Sequence, residues 1–291
     1  MVKIVVTADL HYNISRSREP ARRLAADACA AGGDALVLVG DTAGADTKPF
    51  LDCLRLFDNF EGTKLLVPGN HCLWCRGGED SLTRYERLLP DIAEQAGFRV
   101  LDHQPIVIRD IALVGSIGWY DYSFADESLG IPEPFYRAKV APGAAQMLAE
   151  HRPLLEDHRG QLRERHMSLA ARWMDGRYVQ LPMGDEEFVD LLCEKLSGHL
   201  RQVAERAERI VAFTHHLPFE QLVPRNRPDR FAFAAAYMGS PRLGQVLLAE
   251  PKVSHVFCGH SHWPGRWEID GVNVVNVGST YGRKRLEILE L

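Results

Sequence analysis

The sequence predicts an α/β protein: a largely parallel sheet with antiparallel pairing added, interrupted by a helical insertion. Three observations lead there. Short β-rich runs alternate with helix-patterned segments over the first hundred residues, as in βαβ units. Two apolar runs at 106–109 and 111–117 flank Asp110 as a tight hairpin, which brings in antiparallel pairing. The β pattern disappears after Trp119 and resumes at Ile210, so both ends of the chain belong to one core.

Residues 2–7, 35–39 and 64–67 read as the first strands. Between them, Pro20 opens a helix carrying Leu24, Ala28 and Cys29, stopped by Gly32-Gly33. Pro49 opens a second with Phe50, Leu51, Leu54 and Phe57 on one face. A third helix over 81–95 buries Leu82, Tyr85, Leu88 and Ile92, and a strand at 98–101 precedes the hairpin. The stretch 121–209 reads as a helical cap inserted into a single domain spanning 1–291. Its clearest helix is 185–208, with Phe188, Val189, Leu192, Leu196, Leu200 and Val203 on one face. Strands at 210–214, 253–258, 267–269, 272–277 and 285–289 follow, with one helix from Ser240-Pro241 to Glu250.

With 291 residues, 46% hydrophobic and 25% charged, the chain has material for a sizeable core, which excludes disordered and fibrous classes. Its 34 Lys and Arg against 39 Asp and Glu give a formal charge of -5, so no global field draws nucleic acid or an anionic membrane. No apolar run approaches the roughly 20 residues that span a bilayer, and no signal-peptide pattern opens the chain, so the expectation is a soluble cytoplasmic protein. The six cysteines are read as free thiols, because a core of this size needs no staples.

Polar residues that follow strands carry the chemistry. Asp9 and His11 end the first strand, Asp41 the second and Asn70-His71 the third. His215-His216 and then His260 with His262 end later ones, so six of the twelve histidines occupy such ends. In open α/β sheets ligands bind beyond the carboxyl ends of strands, where distant sequence positions converge. Asp, Asn and His without a convergent cysteine suit divalent Mn, Fe, Zn, Ni or Co better than a soft thiolate site does. On an extended backbone the one-residue spacing of Asp9/His11 and of His260/His262 places each pair on one side. So many ligands exceed one coordination sphere, and two metals sharing a carboxylate is the economical solution. Gly40, Gly69 and Gly259, each just before such a residue, allow sharp strand exits and close backbone approach.

Asp9-Leu10-His11, Gly40-Asp41, Gly69-Asn70-His71, Thr214-His215-His216 and Gly259-His260-Ser261-His262, in this order, resemble the calcineurin-like metallophosphoesterase family over the whole chain except the cap. The resemblance implies a two-sheet β-sandwich flanked by helices and a binuclear centre. By it, Asp9, His11 and His262 hold one metal, Asn70, His215 and His260 the other, and Asp41 bridges them. His71 would be the non-ligand histidine near the scissile phosphate. In relatives the ligand histidine lies in a His-x-Pro pattern, and here Pro218 follows His216 by two positions. Continuation of the preceding strand favours His215, and His216 stays the alternative. The implied activity is hydrolysis of a phosphomonoester or phosphodiester by a metal-activated hydroxide. The alternatives are a nuclease or cyclic-nucleotide phosphodiesterase, or a non-catalytic module on the same fold.

Other features read more simply. Cys72-Leu73-Trp74-Cys75 has CxxC spacing but no second pair, and packing of two buried thiols beside Trp74 is favoured over redox or zinc chemistry. His255 reads as a packed residue within its strand, and His103, His151, His158, His166 and His199 as surface residues. The cap's Arg152, Arg159, Arg163, Arg165, Arg172 and Arg177, interleaved with Glu150, Glu156, Asp157, Glu164 and Asp175, read as a solvated, salt-bridged face rather than a nucleic-acid stripe. Arg225, Arg227 and Arg230, with His216, are candidate substrate contacts, since guanidinium forks fit phosphate oxygens.

Overall fold

The computed structural model describes residues 1–225 and 228–291, which leaves Arg227 of the candidate phosphate clamp outside the described residues. Among the described residues, eleven strands form two sheets. The first contains β1 (Lys3–Thr7), β2 (Ala35–Val39), β3 (Thr63–Val67), β4 (Phe98–Val100) and β11 (Glu287–Glu290) in the order β11-β1-β2-β3-β4. The second contains β5 (Ile106–Ile108), β6 (Ile111–Ser116), β7 (Arg209–Thr214), β8 (Val253–Cys258), β9 (Gly265–Ile269) and β10 (Val272–Asn276) in the order β5-β6-β7-β8-β10-β9. β1 to β4 run parallel in the first sheet, as do β6, β7, β8 and β10 in the second. Antiparallel β11, β5 and β9 lie at sheet edges, and the β5–β6 hairpin turns through Arg109-Asp110 as expected.

The alternation of side chains along each strand sets the layers. Ile4 and Val6 of β1, Ala35, Val37 and Val39 of β2, Val211 and Phe213 of β7 and Phe257 of β8 share one buried cluster between the sheets. The intervening Val5, Leu36 and Leu38 face helices instead, as do Ala212 and Val256 on the other sheet. Helices Ser15–Ala31, Thr47–Leu54 and Leu89–Glu94 cover the first sheet. Pro241–Leu248 and the later turns of Asp185–Ala204 cover the second, through Leu243, Leu247, Leu196, Leu200 and Val203. The result is the helix-flanked sandwich that the resemblance implied.

Several boundaries differ from expectation for physical reasons. The first helix begins at Ser15 and carries Pro20 inside it rather than at its start. The second begins at Thr47, two residues before Pro49. The third is α-helical at Ser81–Thr83 and Leu89–Glu94 with a π-turn at Arg84–Leu88. Tyr85, Leu89, Ile92 and Ala93 form its buried face, while Leu82 and Leu88 lie at the margin. A side chain accounts for the π-turn's place: Arg84 is buried and donates through Nε to the Cys72 carbonyl at 2.6 Å and through Nη2 to Ala45 O at 2.7 Å, joining the loops after β2 and β3. The last strand lies at Glu287–Glu290 rather than 285–289. Residues 121–208 contain no named strand among the described residues, only short helices, the long helix Asp185–Ala204 and an isolated bridge between Val140 and Arg172.

Candidate metal centre

Each candidate residue sits just beyond the carboxyl end of a parallel strand: Asp9 after β1, Asp41 after β2, Asn70 after β3, His215 after β7 and His260 after β8. The backbone there is not extended. Asp9 (φ 56), His11 (φ 44), Asp41 (φ 46), His260 (φ 67) and His262 (φ 57) are all left-handed, a conformation costly for side-chain-bearing residues and concentrated at functional sites. Asp9/His11 and His260/His262 therefore converge through left-handed turns, not through strand alternation as the spacing suggested. Gly40 and Gly69 make the close packing possible. Gly40 has φ 84, and a Cβ there would overlap the His215 ring; a Cβ on Gly69 would strike Asp41.

Among the described residues, three groups of side chains offer ligand atoms within 4.8 Å of one another: Asp9, His11 and His262; His11, Asp41 and His71; Asp41, His215 and His260. Asp41 lies between them, with Oδ2 3.4 Å from His11 Nε2 and 3.9 Å from His71 Nε2, and Oδ1 3.5 Å from His215 Nε2. Asn70 Oδ1 lies 3.2 Å from His215 Nε2. His215 thus points into the cluster, whereas His216 directs Nδ1 at the Ile117 carbonyl 3.0 Å away and leaves Nε2 without a partner. The sheets are tied at this spot: the His260 amide donates to Asp9 Oδ1 at 3.0 Å, and His215 Nδ1 approaches Val39 O at 3.3 Å.

The donor set suits divalent cations. Asp9, His11, Asp41, Asn70 and His215 are at most 1% exposed. Among the described residues Asp9 Oδ2 and His11 Nδ1 have no hydrogen-bond partner, which is costly for buried polar atoms. Ring nitrogens face each other at 3.3 Å between His11 and His262 and at 3.2 Å between His215 and His260. Burial pushes the Asp9 and Asp41 carboxyls up and the His11, His215 and His260 imidazoles down, so it disfavours the charged form of each of these five side chains. A cation supplies the positive charge that the carboxylates need and that neutral imidazoles can ligate.

Neighbours complete the site. His71 stacks on Trp74 with ring centroids 3.8 Å apart, and Trp74 stacks on Tyr178 at 4.8 Å. Cys72 and Cys75 of the CxxC segment are buried free thiols. Arg225 donates to the Phe124 carbonyl at 3.1 Å and to Glu220 at 2.9 Å, and exposed Arg230 lies over the Phe231 ring.

Sequence reasoning missed three groups. Lys284 donates to the Asp9 carbonyl at 2.6 Å, and burial holds its ammonium down at about 8. Tyr281 packs its ring 4.9 Å from that of His11 and 5.2 Å from that of His262. Asp175, expected on a solvated face, is 1% exposed and accepts hydrogen bonds from Asn70, Trp74, Trp173 and Tyr120. The arginines and the other acids named with it are exposed as expected, but His166, expected at the surface, is buried with its ring nitrogens near Arg163 N and Arg165 Nε. His103 and His199 are half-buried. Tyr281 follows a strand end, a signal that could have pointed to it; nothing local marks Asp175.

Comparison with known proteins bears on the family and the fold. Residues 2–264 match the family model of the calcineurin-like phosphoesterases. No curated protein sequence matches. Among solved structures, a phosphopantetheinyl hydrolase from Mycobacterium tuberculosis superposes with a TM-score of 0.66 at 19% identity, covering 96% of this chain and 90% of that one. A dimetal phosphatase from Danio rerio gives 0.54 at 16% identity, covering 99% and 91%. At these identities the likeness is one of fold.

Proposed function

Since the chain belongs to the calcineurin-like phosphoesterases, a family of metal-dependent phosphate-ester hydrolases, we propose that it hydrolyses a phosphomonoester or phosphodiester at a centre of two divalent ions. The observation that carries this reading is Asp41, a buried carboxylate whose two oxygens face opposite groups of ligand atoms. In this assignment Asp9, His11 and His262 would hold one ion, Asn70, His215 and His260 the other, and Asp41 would be shared by both. Two divalent ions held there would supply the Lewis-acid charge that activates water at neutral pH and neutralises phosphoryl oxygens.

The protein's own groups do the rest. Asp9, Asp41 and the imidazoles are held in place before any substrate arrives, so little reorganisation is left for the reaction. His71 stays outside the ligand set in this assignment. Burial holds its imidazole down at about 3, so at neutral pH the ring is neutral and its N–H donates a hydrogen bond to a phosphoryl oxygen that gains charge, while the leaving alkoxide takes its proton from water. Stacking on Trp74 fixes the plane of that ring. Helical segment 121–209 and the Arg225 loop shape access to the centre. A phosphate that engages Arg225 has to displace Glu220 from its guanidinium.

Metal analysis joined to a substrate panel tests the reading. The panel contains an aryl phosphomonoester, an aryl phosphodiester, nucleotides, cyclic nucleotides and, because of the structural likeness, a phosphopantetheinyl ester. Turnover that requires divalent metal and disappears with Asp41→Ala supports the proposal. Two bound ions with no turnover of any ester would favour the non-catalytic alternative.

A further inference from the structure

Asn70 can serve a metal only through Oδ1, since its amide nitrogen carries two hydrogens and no available lone pair. Nothing in the amide itself chooses between its two ends. We propose that Asp175 makes that choice and is the positioning residue for Asn70; this rests on the metal-centre reading above.

Both carboxylate oxygens of Asp175 accept from Asn70 Nδ2, at 2.9 and 3.1 Å. Each oxygen also accepts from an indole N–H, Oδ1 from Trp74 at 2.7 Å and Oδ2 from Trp173 at 2.7 Å, while the Tyr120 hydroxyl donates to Oδ2 at 3.2 Å. An indole nitrogen can only donate, so both oxygens are committed as acceptors. The group they face must therefore be the NH2 of Asn70. Its Oδ1 is left pointing at His215 Nε2, 3.2 Å away, on the side of the cluster.

The same carboxylate steadies the surrounding rings. Trp74 is the stacking partner of His71. Trp173 stacks nearly parallel on Tyr237, with centroids 5.0 Å apart. The Tyr237 carbonyl lies 3.1 Å from His260 Nε2, which leaves Nδ1 of that ring turned towards His215. Asp175 begins the short helix Asp175–Tyr178 within 121–209. That segment thus completes the metal centre from behind, and metal affinity depends on its being in place.

The test titrates Mn into the chelator-stripped full chain and counts ions and affinities. Wild type should bind two. Asp175→Asn introduces an amide donor among groups that all donate and lets Asn70 turn round. It should keep the first ion and bind the second at least tenfold more weakly, the scale seen when an outer partner of a metal ligand is lost. Asp185→Asn is the control for general damage: Asp185 accepts from Trp119 Nε1 at 2.7 Å and from Tyr122 and Lys139, and hydrogen-bonds to no proposed ligand, so both ions should remain. Exchanging the pair, Asn70→Asp with Asp175→Asn, restores a donor facing an acceptor between the two residues, with one indole N–H left facing the new NH2, and should regain at least part of the second-ion affinity; it decides the matter if the single variant does not fold. Unchanged second-ion affinity in Asp175→Asn, equal loss in the Asp185→Asn control, or no recovery in the exchanged pair overturns the inference. A wild type that binds fewer than two ions overturns the metal reading instead.

Discussion

His71 Nε2 and Asp41 Oδ2 lie 3.9 Å apart, yet the proposal gives the two residues different work, and substitution separates them. A hydrogen-bond donor that is not a ligand can be removed without loss of metal. His71→Ala should lower kcat by about a hundredfold to a thousandfold, with metal content unchanged by elemental analysis. Loss of an ion in that variant would make His71 a ligand, which its place among the grouped ligand atoms allows. Asp41→Ala should empty both positions together, and a variant that retains a full complement would exclude the bridge.

Away from the centre, Asp102 accepts from the Tyr85 hydroxyl and the Ile117 amide through Oδ1, while Oδ2 has no partner; burial raises its carboxyl to about 6. In the unfolded chain it titrates near 3.9. Its contribution is thus full below about pH 4 and is lost as pH rises through about 6, by at most about 3 kcal/mol. Urea midpoints of wild type and Asp102→Asn, both with chelator, should shift against wild type between pH 4.5 and 7.5. A constant difference would refute the raised carboxyl.

At the scale of elements, the turns that leave the strands decide whether a site forms. Gly69 has an unstrained φ of -118, so its requirement is space: an added Cβ lies 2.8 Å from His215 Nε2 and closer still to Asp41. Gly69→Ala should cost about 1–3 kcal/mol and weaken metal binding, because overpacking moves the residues it meets. Gly160→Ala, with nothing within 4 Å of the new Cβ, should be neutral in both respects. Thermal unfolding and Mn titration of the two variants decide, and equal behaviour would remove the steric argument. The glycines before Asp41 and Asn70 were legible in the sequence because close approach is written in the residue type. The left-handed conformations of Asp9 and His260 were not, since Asp and His adopt them only when the surroundings impose them. Helix starts were equally hidden: Pro20 suggests a first turn, but the chain tolerates it five residues beyond Ser15.

In the whole molecule, apolar runs and their alternation revealed one core shared by both ends of the chain, and β1 does pair with β11. They could not reveal that the strands divide into two sheets, because inward-facing residues of either sheet enter the same buried layer and look alike in sequence. That division was implied by the family resemblance that the site motifs carry. Asp175 was illegible for the opposite reason: its role depends on contacts about a hundred residues away, while the charges nearest it in sequence, Arg172 and Arg177, are exposed. The division into sheets has an energetic consequence. The proposed ligands come from β1, β2 and β3 on one side and from β7 and β8 on the other, so bound ions would clamp the two sheets at one end of the sandwich. Ions that bind only the folded chain stabilise it by about 2.7 kcal/mol per site at a hundredfold excess over Kd. Chelation should therefore lower the Tm of wild type by several degrees, and added Mn should restore it in proportion to the logarithm of its concentration. Asp41→Ala should show neither response, since it has lost the carboxylate that both ions share. A wild-type Tm indifferent to chelator and to Mn would mean that no cation joins the sheets, whatever the spacing of the side chains at their ends.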